Sequence, residues 1–194
     1  MIPSKFGTQK IMFSRIFDFR LLLLIVILLV PLDLLSKPLG GNFQLTDSHK
    51  RDFSLDNLKG SVVLMFFGYT TCPDICPTEL SKLATILNSL GPSSRHVKGL
   101  FISLDPNRDG PEKLKDYVRF FHEDIIALTG KESEVEKVAK MYGVSYSKNI
   151  RPDGNYFLDH SANLYILDQQ GKISAVAPYG FPISHVIQLI EEMF

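Results

Sequence analysis

The sequence predicts an α/β domain built on a mainly parallel sheet, and three features predict it. Residues 62–67, Val-Val-Leu-Met-Phe-Phe, form an unbroken apolar run, the pattern of a strand covered on both faces. Leu80, Leu83, Ala84, Leu87 and Leu90 then recur at spacings of three and four, so 78–90 reads as an amphipathic helix lying on that strand. After a loop at 91–95, Val97 to Leu104 makes a second buried strand, and the two strands with the helix between them form one βαβ unit. The 194 residues leave room for one ordinary domain plus an extension, with a core large enough to be stable without staples. The 21 basic and 21 acidic residues cancel, so no overall field favours an acidic partner, and no nucleic-acid partner is expected.

Residues 1–20 form a basic flank, with Lys5, Lys10, Arg15 and Arg20 against the single acid Asp18. Residues 21–35 are then apolar apart from Asp33, and a basic flank before such a run keeps the N-terminus inside and exports the chain beyond the run. Fifteen residues are short for a span of ~20, which favours a signal-peptide core. Ser36-Lys37-Pro38 is a poor cleavage site, which favours an uncleaved membrane anchor. Residues 36–42, with Pro38, Gly40 and Gly41, read as a linker to a domain spanning 43–194.

Within that domain, Phe43 to Leu45 and Phe53 to Leu55 flank a polar stretch and suggest a small hairpin capping the fold. The βαβ unit comes next. Pro111 opens a helix whose inner face carries Leu114, Tyr117, Val118 and Phe121, Ile125 to Thr129 is a short strand, and Glu132 to Tyr142 a further helix. Gly143 to Leu158 breaks the alternation: Pro152-Asp153-Gly154-Asn155 is a strong turn signal, read as a β-hairpin insertion. Asn163 to Asp168 and Lys172 to Val176 are strands joined by a turn short enough to make them antiparallel, and Ser184 to Met193 is a last helix.

The only two cysteines, Cys72 and Cys76, sit on the turn between the first buried strand and its helix, where ligands and chemistry collect in α/β folds. Two cysteines make only one bridge, and their place beside a helix start suggests function more than stapling. Pro77 suits the first helical position, which makes Cys76 the expected N-cap and leaves Cys72 in the turn. Unpaired N–H groups and the positive end of the helix dipole favour thiolate there, lowering the pKa from about 8.5.

Three blocks of sequence carry a resemblance. Gly68-Tyr69-Thr70-Thr71-Cys72-Pro73-Asp74-Ile75-Cys76-Pro77, Ile102-Ser103-Leu104-Asp105-Pro106-Asn107-Arg108-Asp109 and Leu158-Asp159-His160-Ser161 resemble the signature blocks of the Sco/SenC family, thioredoxin-like, membrane-anchored copper chaperones for cytochrome c oxidase assembly. The resemblance runs from about Gly41 to the C-terminus. It implies a thioredoxin-like fold, with which the order βαβ, αβα, ββα agrees. It also implies an N-terminal anchor that holds the domain on the exported side of a membrane, the bacterial periplasm or the mitochondrial intermembrane space.

The site expected on this basis is Cys72, Cys76 and His160 as metal ligands. His160 is expected on the loop before the strand at 163–168, and the resemblance implies that this loop faces the cysteine turn. Soft sulfur donors favour Cu(I), and copper is the expected ion; a Cys₂His set also suits zinc. Asp159 is either an orienting partner for the imidazole or a turn residue. Asp105, near the cysteines in the family, is either functional or the start of a turn. Tyr69 walls the site or simply packs, and His49, His96, His122 and His185 read as surface residues.

The leading reading is a copper-binding assembly factor whose partner is the copper-site subunit of cytochrome c oxidase, with an upstream copper donor or thiol reductant. The alternative is an enzyme, a membrane-anchored thiol-disulfide oxidoreductase in which Cys72 attacks and Cys76 resolves. Three residues rather than two between the thiols, and no proline immediately before the 163–168 strand, weigh against it. A peroxidase or a structural adaptor is a third class.

Overall fold

The computed structural model describes residues 39–194. The basic flank, the apolar stretch and residues 36–38 lie outside the described residues. Among those described, no helix is long and apolar enough to cross a membrane.

The elements run along the chain as β1 (Gln44–Asp47), β2 (Asp52–Ser54), β3 (Val62–Gly68), α1 (Ile75–Ser89), β4 (Val97–Ser103), α2 (Pro111–Arg119), β5 (Ile125–Thr129), α3 (Glu132–Met141), β6 (Tyr146–Ile150), β7 (Tyr156–His160), β8 (Leu164–Leu167), β9 (Ile173–Ala177) and α4 (Ile183–Glu191). Seven strands form one sheet in the order β2-β1-β5-β4-β3-β8-β9. β3, β4 and β5 run parallel, and β1, β8 and β9 join antiparallel at the flanks. The apolar run lies at the heart of this sheet: every residue of β3 is buried, with β4 on one side and β8 on the other. α1 packs on β3 and β4 beside α4. Its inward Leu80, Leu83 and Leu87 are almost fully enclosed, as the spacing requires.

The N-terminal hairpin is more than a cap. β1 pairs with β5 through Thr46 and Thr129, extending the main sheet, because the open side of β5 carries backbone groups that need partners. Residues 40–42, expected as linker, belong to the domain: the Gly40 N–H donates to the Met141 carbonyl at 2.8 Å, the Tyr142 hydroxyl donates to the Gly41 carbonyl at 2.8 Å, and Asn42 bonds Asp56. The expected loop at 91–95 is a 3₁₀ turn, Gly91–His96.

The insertion is a hairpin, and it forms its own two-stranded sheet of β6 and β7. Arg151 N–H donates to the Asn155 carbonyl and Gly154 N–H to the Arg151 carbonyl, closing the turn. Gly154 sits at φ +83°, a conformation that a side chain disfavours.

Candidate metal centre

β3 delivers the chain to the site at Gly68. A Cβ at Gly68 would lie 2.7 Å from Cys76 Sγ and 3.0 Å from the Phe66 and Phe101 rings, so this position has room for a hydrogen only. The chain then turns through residues 69–74 into α1. The helix starts earlier than Pro77 suggests: Asp74 is the N-cap, without a side-chain capping bond, Cys76 is the second helical residue and Pro77 the third. The first four N–H groups of a helix have no intrahelical partner, so proline at the third position forfeits nothing. The Cys76 N–H points instead at Cys72 Sγ, 3.5 Å away.

His160 is the last residue of β7 rather than part of a loop, and its Cα pairs with that of Tyr146. Nδ1 lies 3.1 Å from the Ser161 carbonyl, which only accepts, so Nδ1 carries a proton and Nε2 is the ring nitrogen left to face the sulfurs. Nε2 faces Cys76 Sγ at 3.5 Å. The edges of Phe66 and Tyr69 wall the imidazole, their ring centres 6.1 and 5.9 Å from its own. Asp159 takes neither expected part. As the neighbouring residue on a strand it faces the other way, exposed, and accepts from Asn149 Nδ2 at 2.6 Å.

The three donor atoms, two Sγ and one imidazole nitrogen, lie within 4.8 Å of one another. An ion about 2.3 Å from sulfur and about 2.0 Å from nitrogen needs donors roughly 3.5–4 Å apart. Small side-chain movements close the set. Neither cysteine is in a disulfide.

The two thiols are electrostatically distinct. Cys72, half-buried at the mouth, is brought down to about 3: the Cys76 thiol donates to it, His160 adds to this, and the N–H groups of Asp74 and Cys76 point at it, together outweighing its burial. Cys76 is fully buried, and the bond it donates to Cys72 together with that burial pushes its thiol far above the ordinary value. The helix start therefore yields one thiolate and one thiol rather than two thiolates.

Around them stands a carboxylate scaffold that local sequence patterns do not reveal. Asp109, fully buried, accepts from the Thr70 N–H at 2.9 Å, from the Thr70 and Ser103 hydroxyls and from Lys113 Nζ at 3.2 Å. It thus fixes the loop just before Cys72. Asp105, 4% exposed, takes the Arg108 guanidinium and the Tyr156 hydroxyl, the latter at 2.8 Å. It is a structural anchor within reach of the site rather than a mere turn residue. Thr70 and Tyr156 lie 39 and 51 residues from these carboxylates in sequence, and no periodicity announces them.

A cleft of about 610 Å³ opens beside the donors, lined by Tyr69, Cys72, Arg108, Tyr156 and His160 among others. A larger groove, about 800 Å³, runs over β1 and β2 and contains no cysteine or histidine, so the chemistry lies in the smaller one. His49, His96 and His185 are exposed and His122 half-buried, all outside the donor set.

A βαβ start, an antiparallel finish and a Cys₂His donor set at the strand-to-helix turn define a thioredoxin-like thiolate–imidazole protein. Comparison with known proteins agrees. The SCO1/SenC family model matches residues 33–194, and the chain belongs to that family. It is 41% identical over 136 residues to an SCO2-like protein of Rickettsia conorii and 43% identical over 141 residues to the mitochondrial SCO2 protein of Saccharomyces cerevisiae. Those matches cover 69% and 71% of this chain but 66% and 46% of the relatives' own lengths. Among solved structures, copper-bound ScoI of Bradyrhizobium japonicum superposes with a TM-score of 0.75 at 35% identity, covering 80% of this chain and 99% of that one. Copper-bound yeast Sco1 gives 0.73 at 37% identity, with 80% and 88% covered.

Proposed function

We propose that this chain is a copper metallochaperone in which Cys72, Cys76 and His160 hold the ion. The observation that carries the reading is the convergence of two sulfurs and one imidazole nitrogen within 4.8 Å. Copper is preferred because soft sulfur dominates the donor set, and because two structural relatives at 35% and 37% identity hold copper. Three donors leave a coordination position open, so a receiving thiolate binds before the ion leaves. The recipient implied by the family resemblance is the binuclear copper site of cytochrome c oxidase, reached from the exported side of a membrane to which residues 21–35 tether the domain.

The test is a titration of the reduced protein with Cu(I) and Zn(II). One tight Cu(I) site that weakens by at least about tenfold in His160→Ala, roughly 1.4 kcal/mol, supports the reading. Unchanged Cu(I) affinity in that variant removes His160 from the site.

A second reading, a thiol-disulfide reductase, draws on one observation: Cys72 is held as thiolate beside a protonated Cys76. Turnover with a disulfide substrate that vanishes in Cys72→Ser would favour it. Copper binding without turnover would leave the chaperone alone.

A further inference from the structure

Two of the three donors come from one short turn and the first turn of α1 that follows it, but His160 comes from a hairpin that shares no ladder with the main sheet. Something must hold that hairpin in place. At its base, the Ser161 N–H donates to the Ser145 carbonyl at 2.9 Å, which closes the hairpin on itself only. Among the described residues, its polar ties to the domain near the site are His160 Nε2 against Cys76 Sγ, the Tyr156 hydroxyl to Asp105, and the Arg108 fork. Arg108 controls two of these three. Its Nε bonds Asp105 and so aims that carboxylate at Tyr156, while its Nη1 donates to the Tyr156 carbonyl at 2.8 Å. The guanidinium also lies over the Tyr156 ring, 3.6 Å from its centre, with Lys148 Nζ over the same ring at 3.7 Å.

Tyr156 and His160 are the two ends of β7, about 13 Å apart at roughly 3.3 Å per residue. β7 pairs with β6 at every one of its positions, so the strand moves as a unit. Arg108 Nη2 is buried with no partner among the described residues.

We propose that Arg108 is a positioning residue: by clamping Tyr156 it sets where His160 stands relative to Cys72 and Cys76. This rests on the copper-site reading for its consequence, but the clamp itself does not need the metal. Lysine keeps the charge and loses both the fork and the flat stacking surface, so Arg108→Lys separates position from charge.

Two measurements on the full-length chain test it. In the metal-free protein, amide exchange over residues 156–160 is expected to speed up about tenfold or more in Arg108→Lys, with residues 62–68 unchanged. Exchange over 156–160 equal to the unmodified protein overturns the clamp whatever the metal does. In the second, Cu(I) affinity is compared for Arg108→Lys, His160→Ala and the double variant. The arginine change is expected to weaken binding about tenfold alone and less than about twofold on the His160→Ala background. Equal losses on both backgrounds show that Arg108 acts through the thiols or through general stability, and overturn the assignment to His160. If His160→Ala alone leaves Cu(I) affinity unchanged, the copper-site reading fails, and the exchange measurement still decides the clamp.

Discussion

Gly68 has no side chain because Cys76 Sγ occupies the place where one would go, at 2.7 Å from the ideal Cβ. Gly68→Ala must push α1 away or tilt the thiol, and overpacking of this kind costs about 1–3 kcal/mol. A lowered urea midpoint together with weaker Cu(I) binding is the expected result; a lowered midpoint alone would mean that the helix shifts without disturbing the donors. The asymmetry between the thiols makes a chemical prediction. Cys72 is held as thiolate down to about 3 by the bond from Cys76, and Cys76 is buried and protonated. At pH 5, iodoacetamide should therefore label Cys72 and spare Cys76 in the reduced, metal-free protein, as read by peptide mass spectrometry. Replacing Cys76 with alanine removes the donated bond, so labelling of Cys72 at pH 5 is expected to slow sharply.

At the scale of elements, the loop between β3 and α1 owes its shape to Asp109. Each carboxylate oxygen faces donors: Thr70 N–H and Ser103 Oγ at one, Thr70 Oγ1 and Lys113 Nζ at the other. An amide in the same place must turn its NH₂ toward donors, so Asp109→Asn is expected to cost about 3 kcal/mol in urea unfolding. A loss under about 0.5 kcal/mol would show that the loop holds without the charge. The elements themselves were legible because their signals are local: the apolar run of β3, the three-four spacing of α1, the proline opening α2 and the Pro152-Asp153-Gly154-Asn155 turn. The ends of elements were less so. Asp74 caps α1 without a side-chain bond, so nothing beyond Pro77 marked the start, and a strand running further than its turn signal suggests carried His160 into β7. Asp109, Arg108 and Tyr156 escaped notice because their meaning lies in partners 39 to 51 residues away, which periodicity does not see.

For the whole molecule, the low pKa of Cys72 couples stability to pH. The folded group titrates near 3 and the unfolded thiol near 8.5. Between those values the unfolded chain holds a proton that the folded chain does not, so stability rises with pH. The contribution is full above the unfolded value and is lost as pH falls toward 3. Cys76, shifted upward, acts in the opposite sense only above its unfolded value. The stability of the reduced, metal-free protein minus that of Cys72→Ala is therefore expected to widen from pH 4 to pH 8; a constant difference would contradict the thiolate. The division of the donors between a turn and a distant hairpin also bears on biosynthesis. His160 leaves the ribosome 84 residues after Cys76, roughly 4–17 s later at about 5–20 residues per second. Throughout that interval both thiols exist without the imidazole, and β3 lacks the strand, residues 164–167, that covers its second side. A nascent or truncated chain thus offers two bare sulfurs to any oxidant or metal it meets, and three-donor loading waits until residue 160 of 194 has emerged.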